Sequence, residues 1–170
     1  KSCIYPAFGE QALPYFEEPY YSPYSDKISQ GVREAFPLVL TSGGRHIAMF
    51  HSEHRQIPSL RSMNPWPLVT IHPDTASKYG ISDGDWVEIS NPLGTCVQKA
   101  KLSTTIDPRV VHAQHAWWFP EQDGEAPNLF GVYKSNINNL VPHECVGITG
   151  YGAPYKNVIC NIRKVDSLEG

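Results

Sequence analysis

Two glycines and an arginine follow a short apolar segment and could bind an anion. Gly43 and Gly44 come directly after residues 38–41, and Arg45 follows them. Glycine lets the backbone approach a ligand closely, and the successive N–H groups of such a turn can cradle an anion. Arginine adds a planar fork of donors that suits phosphate. Two glycines after a strand more often form a simple turn. The interpretation as an anion site therefore depends on what the rest of the chain contains.

The segment that follows carries a local excess of positive charge. Between residues 41 and 61 there are three arginines and three histidines against a single acidic residue, in a chain whose net charge is −3. These residues are Arg45, Arg55, Arg61, His46, His51, His54 and Glu53. Such a stretch fits an anionic ligand. A solvated loop in which the charges fall by chance fits it equally well on composition alone.

The same segment contains histidines and a serine that a metal site or an activated nucleophile could use. His51 and His54 have H-x-x-H spacing, but the H-E-x-x-H motif of zinc hydrolases is absent. Ser52 beside His51 is the only candidate nucleophile, and residues adjacent in sequence seldom pair as nucleophile and base. The sequence therefore predicts neither a metal ligand nor a catalytic residue.

Three later segments could recognise a ring or a phosphate. Residues 117–119 are three adjacent aromatics, which cannot all face one core, so at least one is expected at a pocket or an interface. Residues 136–140 are rich in amides, which can pair with the edge of a heteroaromatic ring. Residues 150–156 offer glycine, tyrosine and lysine. A mixed core and surface placement explains the first segment as well, and a turn or cap explains the second.

Six short segments with strand character would have to position these residues. They are apolar or alternate with period two, and turn residues separate them. The segments are residues 38–41, 68–71, 86–90, 95–102, 110–113 and 158–165. Residues 74–80 predict a short helix that Gly80 ends, and residues 91–94 predict a hairpin turn. We therefore predict a mostly-β fold with short helices, arranged as a closed barrel.

The first 36 residues differ from the rest. They contain four prolines and eight aromatic residues but no regular hydrophobic period. We predict that residues 1–36 form an irregular arm that lies over a partner surface, and that residues 37–170 form the barrel domain. A linker with incidental aromatics is the alternative. Because residue 1 is Lys rather than Met, we expect that the chain was cut or processed from a longer one.

Composition excludes several classes of protein. With 41% hydrophobic and 18% charged residues, the chain is globular rather than disordered, and its negative net charge argues against nucleic-acid binding. It has no apolar run of 18 residues, so no membrane insertion is predicted. The four cysteines lack C-x-x-C spacing, which argues against zinc or redox chemistry, and a structural disulfide is not expected.

Taken in order, these segments resemble the C-terminal dinucleotide-binding domain of molybdopterin oxidoreductases, the dimethyl-sulfoxide-reductase superfamily. The resemblance covers about residues 37–165 and is strongest to the thiosulfate or polysulfide reductase-like and acetylene-hydratase-like branches. It rests on the order and spacing of several short motifs. These are Thr41 to Arg45 and residues 50–61, 71–76, 80–87, 106–111 and 115–121.

The resemblance implies a double-psi β-barrel, the architecture of aspartate decarboxylase, that binds molybdopterin guanine dinucleotide. It also implies two copies of this cofactor per molybdenum or tungsten atom, and a set of cofactor-binding residues. Those expected near the pterin and phosphates are Thr41, Gly43, Gly44 and Arg45, followed on the same loop by His51, Ser52 and Arg55. Those expected to close over the pterin from the other side are His115, Trp117, Asn139, Tyr155 and Lys156.

The resemblance further implies that the metal ligand and the iron–sulfur cysteines of such enzymes lie in other domains. None of the cysteines here matches such a position, so we expect a cofactor-anchoring domain that is inactive in isolation and binds the dinucleotide weakly. The expected partners are upstream domains of the same catalytic subunit and an iron–sulfur electron-transfer subunit. The expected location is the cytoplasm or periplasm of a prokaryote, in an enzyme of anaerobic respiration.

Two other functions remain as alternatives. A protein-interaction double-psi barrel, like the amino-terminal domains of some AAA ATPases, would not explain the clustered cofactor motifs. A stand-alone enzyme like aspartate decarboxylase cleaves itself at a Gly-Ser bond to make its cofactor, and this chain has no Gly-Ser dipeptide.

Overall fold

A closed barrel of six strands forms the centre of the computed structural model, which describes residues 16–44, 46–142, 154 and 156–169. The strands are β1 (Leu38–Ser42), β2 (Leu68–Ile71), β3 (Trp86–Asn91), β4 (Gly94–Leu102), β5 (Val110–Ala113) and β6 (Val158–Val165). Each matches a predicted strand segment to within one residue at either end. The predicted mostly-β barrel with short helices is confirmed.

The strands follow the order β1-β5-β2-β4-β3-β6 around the barrel. Two pairs are parallel, β1 with β5 and β2 with β4, and the other four are antiparallel. This is the double-psi β-barrel that the resemblance implies. Because β1 and β5 run in the same direction, their carboxyl ends meet at one end of the barrel, and the loops that leave them are neighbours.

The barrel core is built from the inward positions of all six strands. Along β3, for example, Val87, Ile89 and Asn91 are buried and alternate with partly exposed residues, as period-two patterning requires. The largest fully buried side chains on the strands include Leu40, Ile71 and Ile159. A second, smaller apolar cluster lies apart from this core and contains Ala48, Met49, Trp117 and Phe119.

Short helices connect the strands. They are α1 (Gln30–Ala35), α2 (Pro58–Arg61), α3 (Pro73–Lys78) and α4 (Val132–Ser135), with 3-10 turns at Leu129–Gly131 and Ile137–Leu140. The helix predicted at residues 74–80 is α3, which begins one residue earlier because His72 caps it and Pro73 suits its first position. Gly80 follows it with a φ of 64°, the left-handed conformation expected of a helix stop. None of the helices among the described residues is long and apolar enough to span a membrane.

Part of the predicted arm contacts the barrel directly. The N–H of Ile159 on β6 donates to the carbonyl of Tyr21 at 2.8 Å, and the Tyr21 ring packs against the barrel core. Helix α1 lies within the segment predicted to be irregular, and Ser29 caps it by accepting from the N–H of Val32. Residues 1–15 lie outside the described part of the chain, and the division at residue 36 stays a prediction.

Candidate functional site

The candidate site lies where the parallel strands β1 and β5 end. Thr41 pairs with His112, and Ser42 pairs with Ala113. The hydroxyl of Ser42 donates to the carbonyl of Ala113 at 2.9 Å, which ties the two strand ends together. The loop after β1 carries the glycines, and the loop after β5 carries His115 and the aromatic run, so the fold brings two of the predicted segments side by side.

Gly43 and Gly44 each meet a separate steric requirement. Gly43 has a φ of 81°, which side-chain-bearing residues rarely adopt. A Cβ added to Gly44 would lie 2.8 Å from Nε2 and 3.0 Å from Cε1 of His112. The backbone of this turn therefore lies directly on the imidazole of β5, and the pair of glycines forms a cradle that only glycine permits at both positions.

Two histidines meet beside this cradle. Nδ1 of His51 lies 3.1 Å from Nε2 of His115, and their ring centroids are 5.3 Å apart. One nitrogen must donate and the other accept, so at least one of the two rings provides a lone pair to this contact. His51 has a φ of 50°, and Ala116, next to His115, has a φ of 59°. Both loops thus adopt a backbone conformation that is costly for residues other than glycine.

The electrostatics of the site favour an anion. Burial lowers the pKa of His115, and His51, Arg55, His112 and Lys156 lower it further. Burial, followed by Lys156, also lowers the pKa of His112. Both shifts follow from placing several cationic or basic groups together in a partly desolvated place, where a bound anion would relieve their mutual repulsion.

Two cavities border the histidine pair. One of about 200 Å³ is lined by Ser42, Gly43, His51, His115, Ile137 and Asn138. The other, of about 420 Å³, is lined by residues of the loop after β1, by Leu60 and by the same two histidines. Among the described residues, no acidic side chain lines either cavity. Asn138 lies within the amide-rich residues 136–140, and His112 lies within β5, but neither was predicted as a site residue.

Arg55 lines neither of these two cavities and lies beside a third one of about 510 Å³. Its side chain is only 3% exposed, and its Nη1 and Nη2 donate to the carbonyls of His51 and His115 at 2.6 and 3.3 Å. The guanidinium lies 4.6 Å from the ring centroid of Trp117. Burial, with the nearby Arg61, lowers the pKa of Arg55 to about 10.

The aromatic run is divided between the two sides of its loop. Trp117 and Phe119 are buried in the second apolar cluster, and Nε1 of Trp117 donates to the side-chain oxygen of Gln114 at 3.0 Å. Trp118 is only partly buried, and its Nε1 donates to the carbonyl of Ser52 at 2.6 Å. Trp117 thus anchors the loop after β5 in the second apolar cluster. Ser52 accepts the hydrogen bond of Trp118 through its backbone carbonyl.

Lys156 and Asn139 lie in different surroundings. Nζ of Lys156 donates to the carbonyl of Ser42 at the end of β1. The Asn139 amide donates to the carbonyls of Tyr133 and Thr95, at 2.7 and 3.4 Å, close to the β3–β4 turn. Lys156 therefore lies beside the glycine cradle and near the two histidines whose pKa it lowers. The amide of Asn139 instead donates to backbone carbonyls.

Three further predicted positions lie on β1 or outside the described residues. Thr41 is partly exposed on β1, beside the cradle. Arg45 and Tyr155 lie outside the described residues. Within the described part of the chain, no group of three or more histidine, cysteine or acidic side chains is arranged to hold a metal ion.

A family model matches residues 38–159, from the start of β1 to the second residue of β6, and this range includes both loops of the site. Its description is "Molydopterin dinucleotide binding domain". The chain belongs to this family of molybdopterin dinucleotide-binding domains. The resemblance noted from the sequence motifs is therefore confirmed.

Relatives of the domain occur in much longer proteins. Dopamine dehydroxylase of Eggerthella lenta is 37% identical over 139 residues, which cover 82% of this chain and 13% of that protein. Acetylene hydratase of Syntrophotalea acetylenica is 29% identical over 123 residues, 72% of this chain and 16% of that protein. The solved structure of acetylene hydratase from Pelobacter acetylenicus superposes with a TM-score of 0.81 at 25% identity, covering 96% of this chain and 23% of that one. The chain thus spans less than a fifth of the length of these two curated relatives.

Proposed function

We propose that this domain anchors molybdopterin guanine dinucleotide for a molybdenum or tungsten oxidoreductase, as the C-terminal domain of its catalytic subunit. The observation that carries the proposal is the glycine cradle pressed against His112 at the end of β1. A backbone turn without Cβ atoms, surrounded by basic side chains, is suited to a phosphate-bearing ligand.

The residues at the site fit the dinucleotide by charge and by donor chemistry. The backbone N–H groups of the cradle would serve a phosphate, while the Lys156 ammonium would add positive charge and the histidine pair would add N–H donors. Arg45, next to the cradle in sequence, would add a planar fork. Asn138, in the lining of the smaller cavity, would offer its amide to the edge of a ring, whereas the resemblance implies that Asn139 closes over the pterin.

The chemistry that this cofactor supplies when bound is the transformation of substrate at its molybdenum or tungsten atom. The residues of this chain bind and orient the dinucleotide and keep water from its phosphates. The two named relatives differ in their substrates, dopamine and acetylene, yet share this domain. A domain common to both fits a role in holding the cofactor rather than in choosing the substrate.

We propose that the loop after β1 packs against other domains of a catalytic subunit, because its apolar side chains are exposed. Ile47 is 98% exposed and Phe50 is 49% exposed, beside the larger cavity. Exposed apolar groups next to a ligand site are typical of an interface. An iron–sulfur subunit as electron-transfer partner, and a prokaryotic cytoplasmic or periplasmic location, belong to the same proposal.

Calorimetric titration with GDP tests the site. We expect weak binding to the 170-residue chain, reduced at least tenfold when Arg45→Ala, Asn138→Ala and Lys156→Ala are combined. Lys101→Ala, an exposed lysine on β4, is the matched control and should leave binding unchanged. Guanosine should bind more weakly than GDP, because it lacks the phosphates that the cradle is proposed to hold. Equal GDP affinity of the wild type and the triple variant would refute the assignment.

A further inference from the structure

We infer that Arg55 is a positioning residue: it joins the two site loops so that His51 and His115 share one hydrogen bond, and it does not contact the dinucleotide. The use of this histidine pair rests on the proposed function, but the positioning itself can be measured without any ligand. The resemblance had instead placed Arg55 among the residues that touch the cofactor.

The geometry of Arg55 is that of a clamp. One side of its guanidinium donates to the carbonyl of His51 at 2.6 Å, and the other side donates to the carbonyl of His115 at 3.3 Å. Its face lies on Trp117, which is itself buried in the second apolar cluster. A planar fork that bridges two backbone segments fixes their separation more firmly than a flexible ammonium would.

The same geometry keeps Arg55 away from a ligand. Both terminal nitrogens are occupied by carbonyl oxygens, and Nε is buried without a hydrogen-bond partner among the described residues. No carboxylate of the described residues forms a salt bridge with it. The stabilisation of this buried cation therefore comes from carbonyl oxygens and from the Trp117 ring.

The histidine pair needs such support because both of its loops are strained. His51 itself and Ala116, adjacent to His115, have positive φ angles of 50° and 59°. Among the residues that the structure describes, the charged or titratable groups that face His115 are His51, Arg55, His112 and Lys156, and none of these is an acid. Without a clamp, the backbone strain and the repulsion between basic groups would both separate the two rings.

The decisive experiment measures the imidazoles in the ligand-free 170-residue chain. Nitrogen-15 NMR of labelled histidine reports the tautomer of each ring and the pKa of His115, with assignments from His51→Gln and His115→Gln. In Arg55→Met we expect the pKa of His115 to rise toward its ordinary value of about 6.5. We also expect loss of the tautomer pattern in which one ring donates to the other in the bond between His51 and His115. Arg61→Met is the matched control, because Arg61 also lies over Trp117 but bonds neither histidine carbonyl.

Arg55→Lys separates charge from clamping, and it decides the question if Arg55→Met does not fold. Lysine restores the positive charge but not the planar fork. We therefore expect the pKa of His115 to lie between its values in the wild type and in Arg55→Met, while the tautomer pattern stays altered. A tautomer pattern like the wild type in folded Arg55→Met or in Arg55→Lys would overturn the inference. So would an equal change in Arg61→Met.

GDP titration of the same variants distinguishes this inference from the proposed function. A tenfold loss of GDP affinity in Arg55→Met with unchanged histidine signals would make Arg55 a direct ligand and overturn its positioning role. Absence of GDP binding to the wild type, with the histidine signals changing as expected, would refute the proposed function and leave the clamp established.

Discussion

Gln98 and Gln114 are joined by a reciprocal pair of hydrogen bonds through the interior of the barrel. The side-chain amide of Gln98 donates to the carbonyl of Gln114 at 2.9 Å, and its oxygen accepts from the N–H of Gln114 at 3.2 Å. Gln98 lies on β4 and is completely buried, while Gln114 follows β5, although β2 lies between those strands. The loop that carries His115 is therefore fixed to the barrel at its first residue.

Replacing Gln98 with leucine should destabilise the domain. The change removes the donor to the carbonyls of Gln114 and Ser135, whereas the N–H of Gln114 keeps its bond to the carbonyl of Leu68. Each unsatisfied buried polar group costs about 1–3 kcal/mol, so the free energy of unfolding should fall by about 2 kcal/mol or more. Urea denaturation followed by circular dichroism measures it. Gln30→Leu on exposed α1 is the control, and a similarly small change in both variants would contradict the prediction.

Gly44→Ala should disrupt the cradle. The new Cβ would lie 2.8 Å from Nε2 of His112, so either the turn or the imidazole must move. We expect a lower melting temperature and at least a tenfold loss of GDP affinity. Gly31→Ala is the matched control: nothing lies within 4 Å of its Cβ, and in helix α1 alanine stabilises by up to about 1 kcal/mol. Unchanged GDP binding in Gly44→Ala would show that the cradle does not hold the ligand.

Stability should fall as the pH drops below neutrality. The pKa values of His112 and His115 are lowered in the folded protein, chiefly by burial, so the unfolded chain takes up protons first. The free energy of unfolding should therefore decrease as the pH falls through about 6.5 and level off below the folded pKa values. Thermal melts between pH 7.5 and pH 5 measure this.

The pH effect has an internal control. His112→Gln should reduce the dependence of the unfolding free energy on pH near pH 6.5. A pH dependence that neither His112→Gln nor His115→Gln alters would contradict the assignment.

Asp107 titrates in a lower pH range than the histidines, because hydrogen bonds from Arg109 lower its pKa to about 2. The stability contributed by that carboxylate is present above its ordinary pKa of about 4 and is lost only below it.

The buried thiols should be inert in the folded protein. Cys96 and Cys160 are free and buried, and desolvation raises the pKa of both thiols. Because the thiolate is the reactive form, Ellman's reagent should label neither residue in native protein. In a Cys3→Ser, Cys145→Ser background, denaturant should expose two thiols per chain. Rapid labelling of the native protein, or fewer than two thiols after unfolding, would contradict this.

The strands could be predicted from sequence because their patterning is local. Each combines apolar or alternating residues with clear turn signals, and β6 (Val158–Val165) has the predicted bounds. The order of the strands around the barrel is set by pairings between distant segments, which one sequence does not reveal. Helix α1 was missed because six residues that include a glycine carry no period, and capping by Ser29 and contacts of Arg33 stabilise it.

The site could be predicted in part. Gly43, Gly44, His51 and His115 lie together because their loops follow the ends of the paired strands β1 and β5, and the resemblance had implied that they share one cofactor. The inward burial of Arg55 was not predictable, because sequence shows its charge but not the carbonyls that surround it. In the 3-10 turn Ile137–Leu140, a shift of one residue changes the face, so Asn138 rather than Asn139 lines the cavity.

Closure of the barrel has a consequence for how its loops can vary. Every strand from β1 to β6 pairs with two neighbours, so none presents an unpaired row of backbone groups on which another chain could add a strand and aggregate. Changes in the loop between β1 and β2, or in the loop after β5, therefore leave that protection in place. We expect loops of these lengths from distant relatives to be exchangeable onto this barrel without loss of its solution behaviour.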